Sequence, residues 1–328
     1  MKIIKKIFFG ILGFIIGFCL IVLINGNCIL SYNSKEKLND WMKYIDDNVK
    51  VSEIVMPGSH DAGSSGMLWL GETQHLTIKE QLESGARYFD IRVYKKEDEL
   101  IIYHDIINGT KFIPILEDIK SFIENNPTET LLLDFQHFKG NSQSDVFNLI
   151  TEYLYNNGLL IENNTSLSDL EFITNITLKD ARGKCIIFWG DRSNDNSNYL
   201  FFRNNDDCTN SDMSLNSYYL GDFHKSKVED LFEFAYPIYF ANIITKIEEE
   251  QKGIFVLQAQ LTDGALIFGP WSRERNNNKK ITSFINSLKD DSRLEYVNVI
   301  MRDFITYDKC LDIINLNYYK QNTTHLYE

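Results

Sequence analysis

The chain has 328 residues, enough for one large domain or two ordinary ones. A hydrophobic fraction of 44% with only five prolines excludes a disordered tail. The net charge of -13, from 33 Lys and Arg against 46 Asp and Glu, and the lack of any basic stripe argue against nucleic acid as a partner.

In chain order, the first element is an unbroken apolar run from Ile7 to Ile24, preceded by Lys2, Lys5 and Lys6 and followed by no charge until Lys35. Its length predicts an uncleaved transmembrane anchor over residues 1–30, with the lysines cytoplasmic and the remaining domain extracytoplasmic, or secreted if the segment is cleaved. From Ser31 the pattern alternates. Strand-like runs fall at Glu53–Met56, Ala86–Val93, Leu100–His104, Thr130–Phe135, Lys184–Trp189, Ile238–Asn242, Gly253–Gln258 and Tyr296–Asp303. Helical segments are expected at Thr77–Ser84, Ile115–Asn125, Ser144–Asn156, Val228–Phe234 and Lys279–Asp290. Eight strands alternating with helices imply an α/β fold, a single distorted (β/α)8 barrel over residues 31–328 preceded by the transmembrane segment. The polar stretch Asp191–Asn216 reads as a long excursion from that barrel. Cys185, Cys208 and Cys310 show no paired spacing, which argues against a cysteine metal site.

Chemistry gathers at predicted strand ends, where barrel enzymes keep their reacting groups. Met56-Pro57-Gly58-Ser59-His60-Asp61 follows the first strand, Asp90-Ile91-Arg92 ends the second, Tyr103-His104-Asp105 ends the third, and Arg302-Asp303-Phe304 ends the last. In a closed barrel the last strand neighbours the first, so Asp303 is expected beside His60. Two histidines, an arginine and carboxylates on one rim suit phosphodiester chemistry. Imidazole titrates near ~6.5, so one ring can take a proton while the other gives one, and a guanidinium meets phosphate charge.

The ordered set Pro57-Gly58-Ser59-His60-Asp61, Gly85 to Arg92, Tyr103-His104 and Arg302-Asp303-Phe304 resembles the X domain of phosphatidylinositol-specific phospholipases C. Leu132 to Phe138 and Val256 to Thr262 look more like the X-domain-only proteins than the secreted bacterial enzymes. The resemblance implies attack of the inositol 2-hydroxyl on phosphorus, releasing diacylglycerol and a cyclic inositol phosphate. It makes His60 the general base, Asp303 its orienting acid, His104 the general acid, Asp61 the carboxylate partner of His104, and Arg92 the group that binds the phosphoryl oxygens. Calcium-dependent relatives carry an Asn after the first histidine and a Glu-x-Asp pair on the second strand. Here Asp61 and Asp90-Ile91-Arg92 stand at those places, so the resemblance implies no metal and no other cofactor, Arg92 doing the cation's work.

Substrate contacts are expected from Asp90, Gln136, His137, Asp222 and His224. The substrate is then a membrane phospholipid, met by a membrane-anchored monomer. Two other readings stay open: a metal-dependent glycerophosphodiester or sphingolipid phosphodiesterase, and a non-catalytic module that binds lipid.

Overall fold

The computed structural model describes residues 2–26, 36–190, 197–204, 214–217, 253–261 and 269–321, with isolated positions between 237 and 244. Its centre is one ten-stranded sheet: β1 (Met56–Ser59), β2 (Tyr88–Lys96), β3 (Glu99–His104), β4 (Ile107–Lys111), β5 (Thr130–Lys139), β6 (Lys184–Trp189), β7 (Leu200–Asn204), β8 (Leu215–Ser217), β9 (Ile254–Gln258) and β10 (Val299–Arg302). Eight of these run parallel in the order β2, β5, β6, β7, β8, β9, β10, β1, and the sheet curls until β1 also pairs with β2 through Gly58 and Ser59. β3 and β4 form an antiparallel extension on β2.

The strands read as parallel ones do, buried on both faces. Cys185 to Trp189 and Ile254 to Gln258 show no exposed face at all. Helix α2 (Ile78–Glu83) starts at a capping box in which Thr77 accepts from the Glu80 amide while the Glu80 carboxylate accepts from the Thr77 amide. Helix α3 (Phe112–Asn125) buries Ile115, Leu116, Ile119, Phe122 and Ile123, the spacing of one helical face. Helices α4 (Gln143–Tyr153), α5 (Asp169–Asn175) and α6 (Leu178–Ala181) lie between β5 and β6; α7 (Gly269–Ser287) precedes β10, and α8 (Tyr307–Ile314) and α9 (Leu316–Gln321) follow it. At the base of β2, Arg87 pairs with Glu129 at 2.8 Å with both side chains fully buried. The same guanidinium donates to the carbonyls of Leu82, Ala86, Leu38 and Asn39, so this buried charge is well partnered.

The architecture corrects the expected distorted (β/α)8 barrel in three respects. Leu100–His104 is not a strand of the parallel set: it turns back on β2, with Ile102 opposite Val93. Phe240 and Ala241, the described residues of the Ile238–Asn242 run, are helical. The two places in the parallel set go instead to β7 and β8, inside the stretch read as an excursion. The connections from β6 to β7 and from β7 to β8 are about ten residues each. What results is a curled parallel sheet whose first strand pairs back with β2.

The N-terminal expectation is also overturned. Among the described residues no helix is long and apolar enough to cross a membrane. Helix α1 (Lys2–Gly26) begins with Lys2, Lys5 and Lys6. The Phe18 ring instead meets Trp69 edge-on at 6.1 Å. The anchor, and the anchored extracytoplasmic placement that depended on it, are withdrawn.

Candidate active site

Parallel register assembles the site at the carboxyl ends of the strands. Ser59 lies opposite Arg302, so the next residues, His60 and Asp303, emerge side by side. A Cβ on Gly58 would stand 2.9 Å from Val299 and 3.1 Å from the Met301 Cα, so only glycine lets β1 approach β10 this closely. Ser59 also faces Phe89, which brings Asp90 to the same level. β3 runs back along β2 with Ile102 opposite Val93, so its last residue, His104, returns to the level of the Asp90–Arg92 segment.

Each of three strand-end residues is followed by a non-glycine residue in the left-handed region: Asp61 at φ 42° after His60, Asp105 at 53° after His104, and Phe304 at 48° after Asp303. Such a conformation costs on the order of 1–3 kcal/mol for a side chain with a Cβ and persists only where its surroundings fix it. They do so here. Thr73 donates from its hydroxyl to the His60 carbonyl at 3.2 Å, and its own carbonyl accepts from Phe304 at 2.7 Å. Gln74 donates to the carbonyls of His60 at 2.9 Å and Arg302 at 3.0 Å, while its side-chain oxygen accepts from Ile305 at 2.8 Å. One glutamine therefore stitches the ends of β1 and β10 together.

The side chains converge. His60 Nδ1 stands 2.7 Å from Asp303 Oδ1. Asp61 Oδ2 lies 3.3 Å from His60 Nε2 and 3.6 Å from His104 Nε2, so the two rings face each other across one carboxylate oxygen. His104 Nδ1 donates to the Gly71 carbonyl at 2.9 Å, which leaves its Nε2 toward the centre. Arg92 Nε reaches Asp61 Oδ1 at 2.7 Å, and its Nη2 reaches Asp90 Oδ2 at 3.0 Å and comes within 3.4 Å of His60 Nε2. Asp90 Oδ2 also accepts the Asp61 amide at 3.2 Å.

Charge sets the protonation states. Burial alone would lower His60, but the Asp61 and Asp303 carboxylates outweigh it and push the imidazole up to about 9. Burial would raise Asp61, yet Arg92 first and then His60, His104 and His137 bring it down to about 2. Burial raises Asp303, with the His60 charge opposing. Arg92 stays charged because Asp61 and Asp90 together overcome its burial.

Around this centre lies a layer that strand-end reasoning did not name. Asp134, opposite Asp90 on β5, pairs with Arg203 Nε at 2.6 Å and accepts from the Tyr88 hydroxyl at 2.5 Å. Burial pushes Asp134 up to about 6 against the Arg203 charge. Arg203 ends the apolar run Leu200-Phe201-Phe202, the same pattern of apolar strand and terminal charge that revealed Arg92, and that signal was present in the sequence. Gln136 donates to Asp134 at 3.3 Å. A β-bulge beside Ile91 sets His137 opposite Arg92, and partial burial and the Arg92 charge hold it below the ordinary histidine range. Asp222 and His224 lie outside the described residues.

His60, Asp61 and Asp90 also present one ligand atom each within 4.8 Å of one another, a grouping that could take a cation. The Arg92 guanidinium binds both of those carboxylates directly.

Residues 48–190 match the family model described as "Phosphatidylinositol-specific phospholipase C, X domain". The chain is 29% identical over 161 residues to 1-phosphatidylinositol phosphodiesterase of Listeria monocytogenes, covering 45% of this chain and 47% of that protein. It is 32% identical over 136 residues to human PI-PLC X domain-containing protein 2, covering 30% of this chain and 43% of the human protein. The chain thus spans about half the length of the curated relatives it matches. The fold is similar to the phosphatidylinositol-specific phospholipase C structure from Listeria monocytogenes, with a TM-score of 0.61 at 21% identity over 86% of this chain and 99% of that one. A Staphylococcus aureus variant gives 0.60 at 19% identity over 85% and 96%. The X domain match carries His60, Asp61, Asp90, Arg92, His104, Gln136 and His137; Asp303 lies beyond it and joins the site through the pairing of β10 with β1.

Proposed function

We propose that the chain is a phosphodiesterase of the phosphatidylinositol-specific phospholipase C type, acting on phosphatidylinositol or another inositol-containing phospholipid. The observation that carries this is the pair of imidazole Nε2 atoms facing each other across Asp61 Oδ2, with the Arg92 guanidinium beside them. His60 takes the proton of the inositol 2-hydroxyl as its oxygen bonds to phosphorus. His104 gives a proton to the glyceryl oxygen as the old P–O bond breaks, so diacylglycerol leaves and a cyclic inositol phosphate remains. Arg92 neutralises the charge that builds on the phosphoryl oxygens. Asp303 orients His60 and stabilises the imidazolium it becomes. Asp61 holds both rings in place, and Asp90, Gln136 and His137 line the approach for the headgroup.

The His60, Asp61 and Asp90 grouping favours a second reading, hydrolysis assisted by a divalent cation. Against it stands the guanidinium, already bonded to two of the three ligands. His60→Ala tests the first reading on phosphatidylinositol vesicles. Loss of turnover by about 10²- to 10⁴-fold with folding intact supports it, and wild-type turnover rejects it.

A further inference from the structure

Behind Asp303 lies a buried charged cluster that the proposed chemistry does not use. Lys309 Nζ lies 2.5 Å from Glu274 Oε1, and the same oxygen accepts from Arg302 Nη2 at 2.7 Å. Arg302 is held further by Asn278 at 2.8 Å and Thr282 at 3.0 Å, all from α7. The side chains of Lys309, Glu274 and Arg302 are 9%, 2% and 1% exposed. Buried ion clusters seldom raise stability above that of an apolar core of the same volume, so their geometry is the better guide to their use.

We propose that Lys309, braced by Glu274, is a positioning residue that fixes the strained turn aiming Asp303 at His60. Its ammonium donates to the carbonyls on both sides of that turn, Asp303 O at 2.9 Å and Phe304 O at 2.8 Å. Phe304, between them, is the bulky residue at positive φ, where an unbraced chain would relax. The remaining grip comes from the Thr73 carbonyl on the Phe304 amide, and from the Trp271 and His75 rings against the Phe304 ring at 4.9 and 4.6 Å. Glu274 is shared, so α7 sets the position of the last residue of β10 and of the acid that follows it. Lys309 touches no reacting atom. Its effect passes through the 2.7 Å contact between Asp303 and His60, where a small displacement of the acid weakens orientation of the base.

The inference rests on His60 acting as the base, and its test is separable from that reading. In the full chain, Lys309→Met removes the ammonium while keeping an unbranched side chain. The expected result is a kcat on phosphatidylinositol vesicles lower by about 10- to 100-fold with KM nearly unchanged. The His60 imidazole, followed by nitrogen-15 NMR, should titrate at lower pH than in the wild type. That direction is diagnostic. The charged groups around His60 are Asp61, Asp303 and Arg92, with Glu274 and Arg302 behind Asp303, and deleting a cation from this set would by Coulomb effect alone raise His60. A fall therefore reports lost placement of Asp303. A folded Lys309→Met protein with unchanged kcat and unchanged His60 titration overturns the proposal. If that variant does not fold, Lys309→Gln carries the same sign argument and the same two outcomes. A wild type inactive on the lipid defeats the catalytic reading instead, and the NMR titration still decides the positioning.

Discussion

Replacing Asp303 with Asn keeps the size and hydrogen-bonding reach of the side chain and deletes its charge 2.7 Å from His60 Nδ1. In the native site two carboxylates carry the imidazole from 6.5 to about 9 against the cost of burial. That difference is worth about 3 kcal/mol of preference for the imidazolium. Asp303 supplies its part at shorter range and through a direct hydrogen bond, so Asp303→Asn should bring His60 down by at least about one pH unit, ~1.4 kcal/mol. The assay is nitrogen-15 NMR of the histidine rings, paired with the pH profile of kcat/KM. In the wild type the basic form of His60 becomes abundant only toward about pH 9, so the profile should rise through that range. In Asp303→Asn the rise should move to lower pH while the plateau falls, because an unpaired imidazolium is less stable in the transition state. A His60 titration that stays near 9 in the variant would refute the assignment of the raised value to this pair.

Further expectations follow from the same geometry. His104→Ala should lose about 10²- to 10⁴-fold on the natural lipid but far less on an inositol phosphodiester with a nitrophenol leaving group, which departs without a proton; equal losses would contradict His104 as the acid. His60 also links folding to pH. Its folded value is raised, so its contribution to stability is fully present below about pH 6.5 and is lost as pH climbs through about 9. The stability lead of the wild type over His60→Gln, measured by denaturant unfolding, should therefore shrink by up to about 3 kcal/mol from pH 6 to pH 9.5. A lead independent of pH would remove the charged pair from the account.

The sequence made the rim of the site legible because its residues sit in short local motifs. His60 and Asp303 directly follow short, mostly apolar strands and Arg92 stands within β2, and the neighbourhood of first and last strands follows from curling a parallel sheet. Direction and count of strands were harder to see. The turn Glu97-Asp98 between β2 and β3 lacks the Asn-Gly or Asp-Gly signature of a tight hairpin, and an apolar run such as Leu100 to His104 has the same pattern in either direction. β7 and β8, of five and three residues, are too short for a hydrophobic period to register. Partnerships such as Asp134 with Arg203, or Lys309 with Glu274, join residues far apart in the chain, and nothing local announces them. At the N-terminus, the length of the apolar run alone carried the expectation of a span, and the helix there meets the domain through Phe18 and Trp69.

The most direct test is phosphorus NMR of phosphatidylinositol vesicles incubated with the purified protein, with and without EDTA. The two-histidine account predicts a cyclic inositol phosphate signal that grows at the same rate in both samples. No cyclic product, or a signal abolished by chelation, would contradict it.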